Sequence, residues 1–273
     1  MNDLQRERAP FSAEVWEEID GEATKVLKLR LAGRKLVDFN GPLGWNTSAL
    51  DLGRTEKLRA KPADGVEAAV RRSLPLVELR VPFVLDREEI EAIERGAKDA
   101  DLDPVVKAAT ALSQAEDRSI FAGYPAGQID GIMTAAKDAT LSLSSDFTKY
   151  PATVVEALQK LRDAGVSGPY GIALGPRCYA GLTKTVTGAG YPILQHVKQL
   201  VDGPIVWAPA VDGAVVMSMR GGDFELSIGR DISIGYWGHD DKKVELYLEE
   251  SLTFRCLGPE AAVPLVYTDK KKS

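Results

Sequence analysis

Residues 220–236, RGGDFELSIGRDISIGY, decide the fold class, because apolar and polar side chains alternate along both of their halves. Such alternation predicts β-strands with one buried face. The apolar positions are Phe224, Leu226, Ile228, Ile232, Ile234 and Tyr236. Alternating segments continue at 244–248 and 252–257, and the glycines of residues 221–223 predict a hairpin turn. The C-terminal part of the chain is therefore predicted to be built almost wholly of strands.

Upstream of this region, residues 124–213 alternate between helical and strand periodicities. Helices are predicted at 151–164, 178–184 and 193–201, and strands at 170–174, 205–207 and 214–219. Alternation of this kind is typical of an α/β segment inserted between the N-terminal and C-terminal parts of the chain.

The N-terminal third begins with an amphipathic helix over 12–32, which Gly33 ends. Residues 54–58 and 66–72 flank the turn sequence KPADG and predict a charged hairpin with little of its own to bury. An isolated hairpin is marginally stable in water, so we expect it to pack on another subunit. A strand over 77–83, an acidic helix over 86–95 and a longer helix over 103–122 follow. The fold class is therefore α+β.

Composition places the chain among ordinary globular proteins. Its 273 residues include 34 Lys and Arg against 40 Asp and Glu, which gives a net charge of −6. A general nucleic-acid binder needs a basic face, which this balance does not supply, although a local basic patch is left open. No run of about 20 apolar residues occurs, and the N-terminus lacks an apolar signal-peptide core. We therefore expect a cytoplasmic protein with no membrane partner.

The side chains that mark catalytic and metal sites are scarce. Cys178 and Cys256 are too far apart for a CxxC site, and only His196 and His239 could serve a zinc motif. Neither a P-loop nor a GxSxG nucleophile elbow occurs. A Ser-His-Asp triad assembled from distant segments is an open alternative. The sequence predicts no catalytic residue and no metal site.

Some pairs of adjacent acids are candidates for acid–base chemistry, such as Glu88/Glu89, Glu116/Asp117 and Glu249/Glu250. Neighbouring side chains on a helix or strand point in different directions, which disfavours a shared catalytic role. Most such pairs are solvated faces or ion pairs, and this is the interpretation that we give them.

A dozen short pieces in a fixed order carry a resemblance to a known family. They include Gly33-Arg34-Lys35, Gly41-Pro42, Leu74-Pro75-Leu76, Glu94-Arg95-Gly96, Gly168-Pro169-Tyr170, Arg220-Gly221-Gly222-Asp223-Phe224 and Ser233-Ile234-Gly235-Tyr236. Over about residues 4–267 the chain resembles the type 1 encapsulin shell proteins, also called linocin-like bacteriocin proteins. That family shares the major capsid fold of tailed phages, the Hong Kong 97-type fold. Each piece alone is weakly specific, whereas their order over the whole length is strongly so.

The resemblance implies how the chain is divided. The N-terminal helix and arm would be 1–38, the extended loop 54–72, the axial domain 130–220 and a disordered tail 268–273. The discontinuous peripheral domain would comprise 39–53, 73–129 and 221–267.

The resemblance also implies a docking groove for a cargo peptide, between the N-terminal helix and the peripheral-domain strands. The matching positions are Leu27, Leu31, Arg34, Asp38, Ile234 and Tyr236. Plain core packing is the alternative for Leu27, Leu31 and Ile234. Arg34 and Asp38 could instead pair with each other.

A second implied surface is the loop around the fivefold pore. Its residues are Thr185, Val186, Thr187, Gly188, Ala189, Gly190 and Tyr191. None of them is charged, so the pore would be narrow and nearly neutral; an ordinary helix–helix loop is the alternative. In some relatives a Trp in the short helix after the alternating strand stacks on a flavin. This chain has Glu88 there, so we predict no flavin and no other cofactor.

The function implied by the resemblance is that of a shell subunit without chemistry of its own. We expect a closed icosahedral homo-oligomer, T=1, that encloses a ferritin-like iron-storage protein or a dye-decolorizing peroxidase through its C-terminal targeting peptide. Two alternatives stay open: a prophage major capsid protein that packages DNA, with the same fold, and a hydrolase or protease. The cargo's identity and the shell size do not follow from the sequence.

Overall fold

The computed structural model describes residues 3–268 and arranges their strands in two five-stranded sheets and a separate two-stranded ribbon. The α-helices are α1 (Ala13–Arg30), α2 (Arg87–Glu94), α3 (Asp103–Phe121), α4 (Ile132–Ala135), α5 (Tyr150–Asp163), α6 (Pro176–Lys184) and α7 (Ile193–Leu200). The strands are β1 (Asp38–Asn40), β2 (Ala49–Lys57), β3 (Ala69–Pro75), β4 (Val77–Asp86), β5 (Leu141–Leu143), β6 (Tyr170–Leu174), β7 (Ile205–Trp207), β8 (Ala214–Ser218), β9 (Phe224–Ile228), β10 (Ser233–His239), β11 (Lys243–Cys256) and β12 (Ala262–Tyr267). The predicted α+β pattern is confirmed.

The first sheet is organised around β11, which is 14 residues long. One edge of β11 pairs antiparallel with β4, the other pairs with β10 and then β9, and β1 runs parallel to β9. The prediction of two separate strands at 244–248 and 252–257 is wrong. The polar residues between them, Glu249, Glu250 and Ser251, continue to pair with β4.

The second sheet has the strand order β5-β12-β8-β6-β7. Strand β12 lies between β5, to which it is parallel, and β8, to which it is antiparallel. The predicted placement of all of 221–267 in the peripheral domain is therefore wrong for β12, which joins the sheet formed by the predicted axial segment. Sequence periodicity gave no sign of this, because it identifies a strand without identifying its partners.

The sequence predicted a hairpin turn at residues 221–223, and this prediction is wrong. Strand β8 belongs to the second sheet and β9 to the first, so this loop carries the chain from one sheet to the other. Gly221 and Gly222 both adopt positive φ values, 85° and 83°, which redirect the backbone. The carboxylate of Asp223 then receives hydrogen bonds from Arg220, at 2.8 Å from Nε and from Nη2.

The predicted charged hairpin is confirmed and is longer than expected. Strands β2 and β3 pair with each other in the antiparallel sense, and their side chains are mostly exposed. The apolar side chains of Leu58, Val66 and Val70 are about half exposed. The ribbon therefore buries little of its own surface, and its packing on another subunit stays a prediction.

The helices pack on the sheets through the predicted apolar stripes. Trp16 and Ile19 of α1 and Leu112 of α3 lie in one buried cluster with Phe83 of β4 and Leu246 of β11. A second, larger cluster surrounds the other sheet. Within residues 3–268, no helix is both long and apolar enough to cross a bilayer. Of the predicted tail 268–273, only Thr268 lies among the described residues.

Candidate functional site

An open groove of about 430 Å³ lies where α1 ends beside the residues that lead into β10. Its lining residues are Thr24, Leu27, Lys28, Leu31, Arg34, Lys35, Asp231 and Ile232. The wall is apolar where Leu27, Leu31 and Ile232 contribute to it, and the remainder is polar or charged. A groove of this composition can hold a short segment of chain with apolar side chains and polar flanks.

The end of α1 places the two leucines on one side of the groove. Leu27 and Leu31 are four residues apart, so they lie one turn apart on the same helix face. The amide of Leu31 donates to the carbonyl of Leu27 at 2.9 Å, which extends the helical hydrogen bonding to the helix end. Leu31 is 7% exposed and Leu27 is half-buried. Leu27 therefore presents apolar surface that the chain itself does not cover.

The floor beside the leucines is a cluster of charged groups around Arg34. Its guanidinium donates to Glu116 of α3, at 2.7 Å from Nη2 to Oε2, and to Asp231, at 2.7 Å from Nη1 to Oδ1. A third contact, of 3.2 Å, runs from Nη2 to Oε2 of Glu250 in β11. Burial alone lowers the pKa of the guanidinium, but Glu116 and the other acidic groups around it more than offset this and raise the pKa above its usual value. Arg34 therefore joins three distant segments of the chain.

The backbone on the N-terminal side of Arg34 is fixed to α3 by Asp117. Its carboxylate accepts hydrogen bonds from the amides of Ala32, at 3.0 Å, and Gly33, at 2.8 Å. Burial raises the pKa of Asp117 to about 7, although these two hydrogen bonds oppose the shift. At Gly33, a Cβ atom would lie 2.4 Å from Cδ1 of Ile120. Only glycine lets this segment approach α3 so closely without displacing Ile120.

Three of the six residues predicted for the groove, Leu27, Leu31 and Arg34, line it together. Ile234 and Tyr236 are buried, at 3% and 7% exposure, in the core cluster that also contains the α1 face. Their burial matches the core-packing alternative for Ile234. Both residues support the groove from within the core.

Asp38, the sixth predicted residue, lies in a different and smaller pocket of about 110 Å³ that Arg34 also lines. Its carboxylate accepts a hydrogen bond from the amide of Gly222 at 2.6 Å. The alternative in which Asp38 pairs with Arg34 is wrong, because Glu116, Asp231 and Glu250 take up that guanidinium.

Sequence reasoning missed Asp231 and Ile232 as groove residues and Glu116 and Glu250 as its floor. The interpretation of the acidic pairs as solvated faces is wrong for Glu116/Asp117 and Glu249/Glu250, all of which are at most 3% exposed. The ion-pair interpretation holds for Glu249, which binds Arg80 and Arg230, and for Glu116. The only signal for these buried ion pairs in the sequence was the presence of adjacent acids in some segments and of isolated arginines in others.

The predicted pore loop connects α6 to α7 and is closed by its own hydrogen bonds. The amide of Thr187 donates to the carbonyl of Tyr191 at 2.8 Å, and that of Gly190 to Thr187 at 2.8 Å. Gly190 has a φ of 78°, which favours glycine in this turn. Val186 and Tyr191 are 50% and 40% exposed. The loop therefore presents an uncharged, partly apolar tip to its surroundings.

The histidines have partners that do not make a catalytic triad. The ring of His196 packs against Tyr191, at 4.8 Å between centroids, and Nδ1 of His239 contacts the hydroxyl of Tyr236. Among residues 3–268, no grouping of His, Cys, Asp and Glu could hold a metal ion. Glu88 lies exposed in the first turn of α2.

Comparison with known proteins places this architecture in a family. The family model described as "Encapsulating protein for peroxidase" matches residues 1–253. The chain is 56% identical over 270 residues to the type 1 encapsulin shell protein of Rhodospirillum rubrum, and the alignment covers 97% of this chain and 96% of the relative. The chain belongs to the encapsulin shell protein family. This encapsulin is also 49% identical over 265 residues to the type 1 encapsulin shell protein of Mycolicibacterium paratuberculosis, with 97% and 99% of the two chains covered.

Solved structures show the fold of this encapsulin. A virus-like particle from Pyrococcus furiosus matches with a TM-score of 0.63 at 19% identity, covering 91% of this chain and 98% of that one. The capsid of Gordonia phage Cozz matches with a TM-score of 0.57 at 13% identity, covering 88% and 87%. The predicted phage major-capsid fold is thereby confirmed. As a member of this family, the chain is a structural subunit of a self-assembling shell, and this role takes the place of the hydrolase alternative.

Proposed function

We propose that this encapsulin forms a closed icosahedral T=1 nanocompartment in the cytoplasm and encloses an enzyme through that enzyme's C-terminal targeting peptide. The enclosed enzyme is a dye-decolorizing peroxidase or a ferritin-like protein. The observation that carries the proposal is the groove at the end of α1, with Leu27, Leu31 and Ile232 along it. The name of the family, which describes a protein that encapsulates peroxidase, supports the first kind of cargo.

The groove suits a peptide because it is apolar along its wall and charged around it. Leu27 and Ile232 offer partly buried apolar surface, to which a peptide would add apolar side chains of its own. Lys28 and Asp231, with opposite charges, would contact the polar flanks. The affinity of one groove need only be modest, because several peptides of one oligomeric cargo engage several subunits and avidity can rise about 10²–10⁴-fold.

Co-expression of this chain with a dye-decolorizing peroxidase that carries its own C-terminal tail tests the cargo proposal. The same peroxidase without the tail is the cargo control, and a ferritin-like protein with and without its tail forms a second pair. Particles are separated by sedimentation. Haem absorbance per particle measures loading of the peroxidase, and the cargo band on a denaturing gel measures loading of the ferritin-like protein. We expect loading only with the tail. Equal loading of the tailed and tail-less enzymes of both kinds would contradict the proposal.

A matched pair of variants on α1 assigns the loading to the groove. Leu27→Glu places a charge on the groove wall, and loss of the apolar contact is expected to lower single-site affinity about tenfold or more. Leu29→Glu is the control, because Leu29 is 63% exposed on the same helix and is not a lining residue of the groove. If both variants load like the parent chain, the peptide binds elsewhere.

The alternative of a prophage capsid is tested on the same particles. The ratio of absorbance at 260 nm to that at 280 nm measures enclosed nucleic acid. A protein-cargo shell is expected to show no excess at 260 nm. Particles filled with DNA would favour the capsid function, which has the same fold.

Within this proposal, loop 185–191 surrounds the fivefold pore and admits small molecules to the cargo. The uncharged tip, with Val186 exposed, gives a pore without a charge filter. Replacing Ala189 by Glu would add a ring of five carboxylates, and is expected to slow entry of anionic peroxidase substrates relative to cationic ones. The carboxylate of Glu88 does not fit the stacking role of a flavin-binding Trp, so we infer that the purified shell shows no flavin absorbance.

A further inference from the structure

The charged cluster beneath the groove holds more negative charge than its one guanidinium can neutralise. Arg34 contacts three carboxyl groups, those of Glu116, Asp231 and Glu250. Glu116 is fully buried and Glu250 is 1% exposed, whereas the side chain of Asp231 is 44% exposed to water. A buried charge without its own partner is strongly unfavourable. Two ionised glutamates that share one arginine, away from water, would leave such a charge.

The placement of the two buried carboxyl groups at one nitrogen atom indicates how this charge is removed. Nη2 of Arg34 lies 2.7 Å from Oε2 of Glu116 and 3.2 Å from Oε2 of Glu250, so the two acids meet at one donor group. Two ionised carboxylates cannot hydrogen-bond to each other, because neither has a donor. Oε1 of Glu250 has no hydrogen-bond partner within residues 3–268, whereas Glu116 receives bonds from both Nε and Nη2 of Arg34. A proton on Glu250 would therefore serve as the donor to Glu116.

Within residues 3–268, the other charged groups around Glu116 and Glu250 either add negative charge or engage other partners. On α3, Asp117 adds a further buried acid, and the positive charge of Lys35, on the N-terminal segment, acts on Asp117. Strand β4 places the apolar Leu79 opposite Glu250. Glu249, the preceding residue of β11, engages Arg80 and Arg230 instead. Burial and the proximity of Glu116 both raise the pKa of Glu250, and Arg34 only partly opposes them.

We propose that Glu250 carries a proton at neutral pH, that it shares this proton with Glu116, and that the proton holds the segment 31–37 against α3 and β11. This device, which we call the carboxyl clasp, consists of Arg34, Glu116 and Glu250. It requires neither cargo nor shell assembly, so its test is independent of the proposed function. Since Arg34 also lines the groove, the clasp sets the shape of that surface.

The direction of the pH effect follows from proton linkage. The closed clasp holds a proton on Glu250, whereas in an opened clasp this residue meets water and ionises like an ordinary glutamate. Opening therefore releases one proton at any pH between the ordinary and the raised pKa of Glu250. Over that range, the opening equilibrium increases up to tenfold for each pH unit, and above it the dependence ends.

Hydrogen exchange of the full-length assembled chain measures this equilibrium at the amides of residues 31–37. Protection factors, corrected for intrinsic exchange at each pH, are recorded from about pH 5 to 9. In the parent chain they are expected to fall as pH rises. Glu250→Gln keeps the shape and replaces the shared proton by an amide donor. This variant is expected to weaken the pH dependence of the protection factors by up to a factor of ten per pH unit. The reason is that only Asp117 would still titrate beside residues 31–37.

Two further variants keep the test decisive. Glu116→Gln places the amide donor on the other member of the pair and is expected to weaken the pH dependence of the protection factors in the same way. It serves as the test if Glu250→Gln folds poorly. Glu249→Gln is the matched control, since it removes an equally buried carboxylate on the other face of β11 and is expected to leave the slope unchanged.

Infrared difference spectra at pH 7 observe the proton itself. The parent chain is expected to show the C=O band of a protonated carboxyl group that Glu250→Gln removes and Glu249→Gln retains. The proposal is overturned if no such band is lost with Glu250, or if the exchange slopes of parent and both clasp variants are equal.

Discussion

Nη2 of Arg34 lies 2.7 Å from Oε2 of Glu116, and this contact joins the segment after the first helix to the middle of α3. The two residues are 82 positions apart in the chain. Both are held at the point where the candidate groove, the first sheet and the N-terminal helix meet. Several properties of the molecule depend on this junction.

Replacement of Arg34 by Met is expected to destabilise the fold by about 3–5 kcal/mol, because it leaves Glu116 without the cation that compensates its buried charge. Chemical denaturation measures the loss. Arg34→Lys is expected to recover only part of it, since an ammonium cannot reproduce the contacts of the planar guanidinium with three carboxyl groups. Lys28→Ala, an exposed neighbour in the groove, serves as the control and is expected to change stability by less than about 0.5 kcal/mol.

Gly33→Ala is expected to lower stability by about 1–3 kcal/mol, because the added methyl group would overlap Cδ1 of Ile120. Ile120→Val removes that carbon, so the double variant is expected to recover part of the loss. Gly21→Ala is the matched control. Its Cβ would meet nothing within 4 Å, and alanine inside α1 is expected to stabilise the helix by about 0.5–1 kcal/mol. Equal effects of Gly33→Ala and Gly21→Ala would show that the close approach to α3 has no energetic importance.

Thermal stability is expected to fall as pH rises from about 5.5 to 7.5. Burial raises the pKa of Asp117 to about 7, so the folded chain binds a proton there that the unfolded chain, with an ordinary pKa near 3.8, has already released. The unfolded state then binds fewer protons, and stability decreases with pH until about pH 7. Calorimetry at both pH values measures the change, and Asp117→Asn is expected to reduce it.

A surface carboxyl group provides the control for this pH comparison. Hydrogen bonds from Thr148 lower the pKa of Asp146, which is fully exposed, so its contribution changes only below about pH 4. Asp146→Asn is therefore expected to leave the difference between the two pH values intact. A melting temperature of the parent chain that increases over this interval would refute the assignment of a raised pKa to Asp117.

Replacement of 54–72 by an Asn-Gly turn is expected to leave the subunit folded but unable to form particles. The ribbon pairs with itself and its side chains are mostly exposed, so its loss removes little of the core. Sedimentation velocity measures particle formation, and circular dichroism measures the fold of the subunit. The double variant Lys61→Ser, Asp64→Ser, which keeps the ribbon and changes only its exposed tip, is expected to assemble normally.

The local elements of this fold could be predicted from the sequence because each is decided by neighbouring residues. Trp16, Ile19 and Ala23 recur at helical spacing and are buried on α1 as expected. The turn sequence KPADG likewise located the ribbon. The pairing partners of a strand could not be predicted in this way. Strand β12 pairs with β5, which lies more than a hundred residues upstream, and nothing in the sequence of either strand specifies the other.

The candidate groove could be predicted only in part for the same reason. The helical positions Leu27 and Leu31 follow from periodicity and from the family resemblance together. Glu116 and Glu250 are remote in sequence. The sequence alone also does not distinguish an acidic residue that is buried in the fold from one that is exposed to water. Their convergence on Arg34 is decided by how α3 packs across β11, which is a property of the assembled chain.

The position of β12 bears on how the shell is made in the cell. This strand is translated after almost all of the described chain, yet it lies between β5 and β8 in the interior of its sheet. On the ribosome, the second sheet therefore lacks an inner strand until β12 has left the exit tunnel. The second sheet can thus reach its full strand order only in subunits whose synthesis has passed β12.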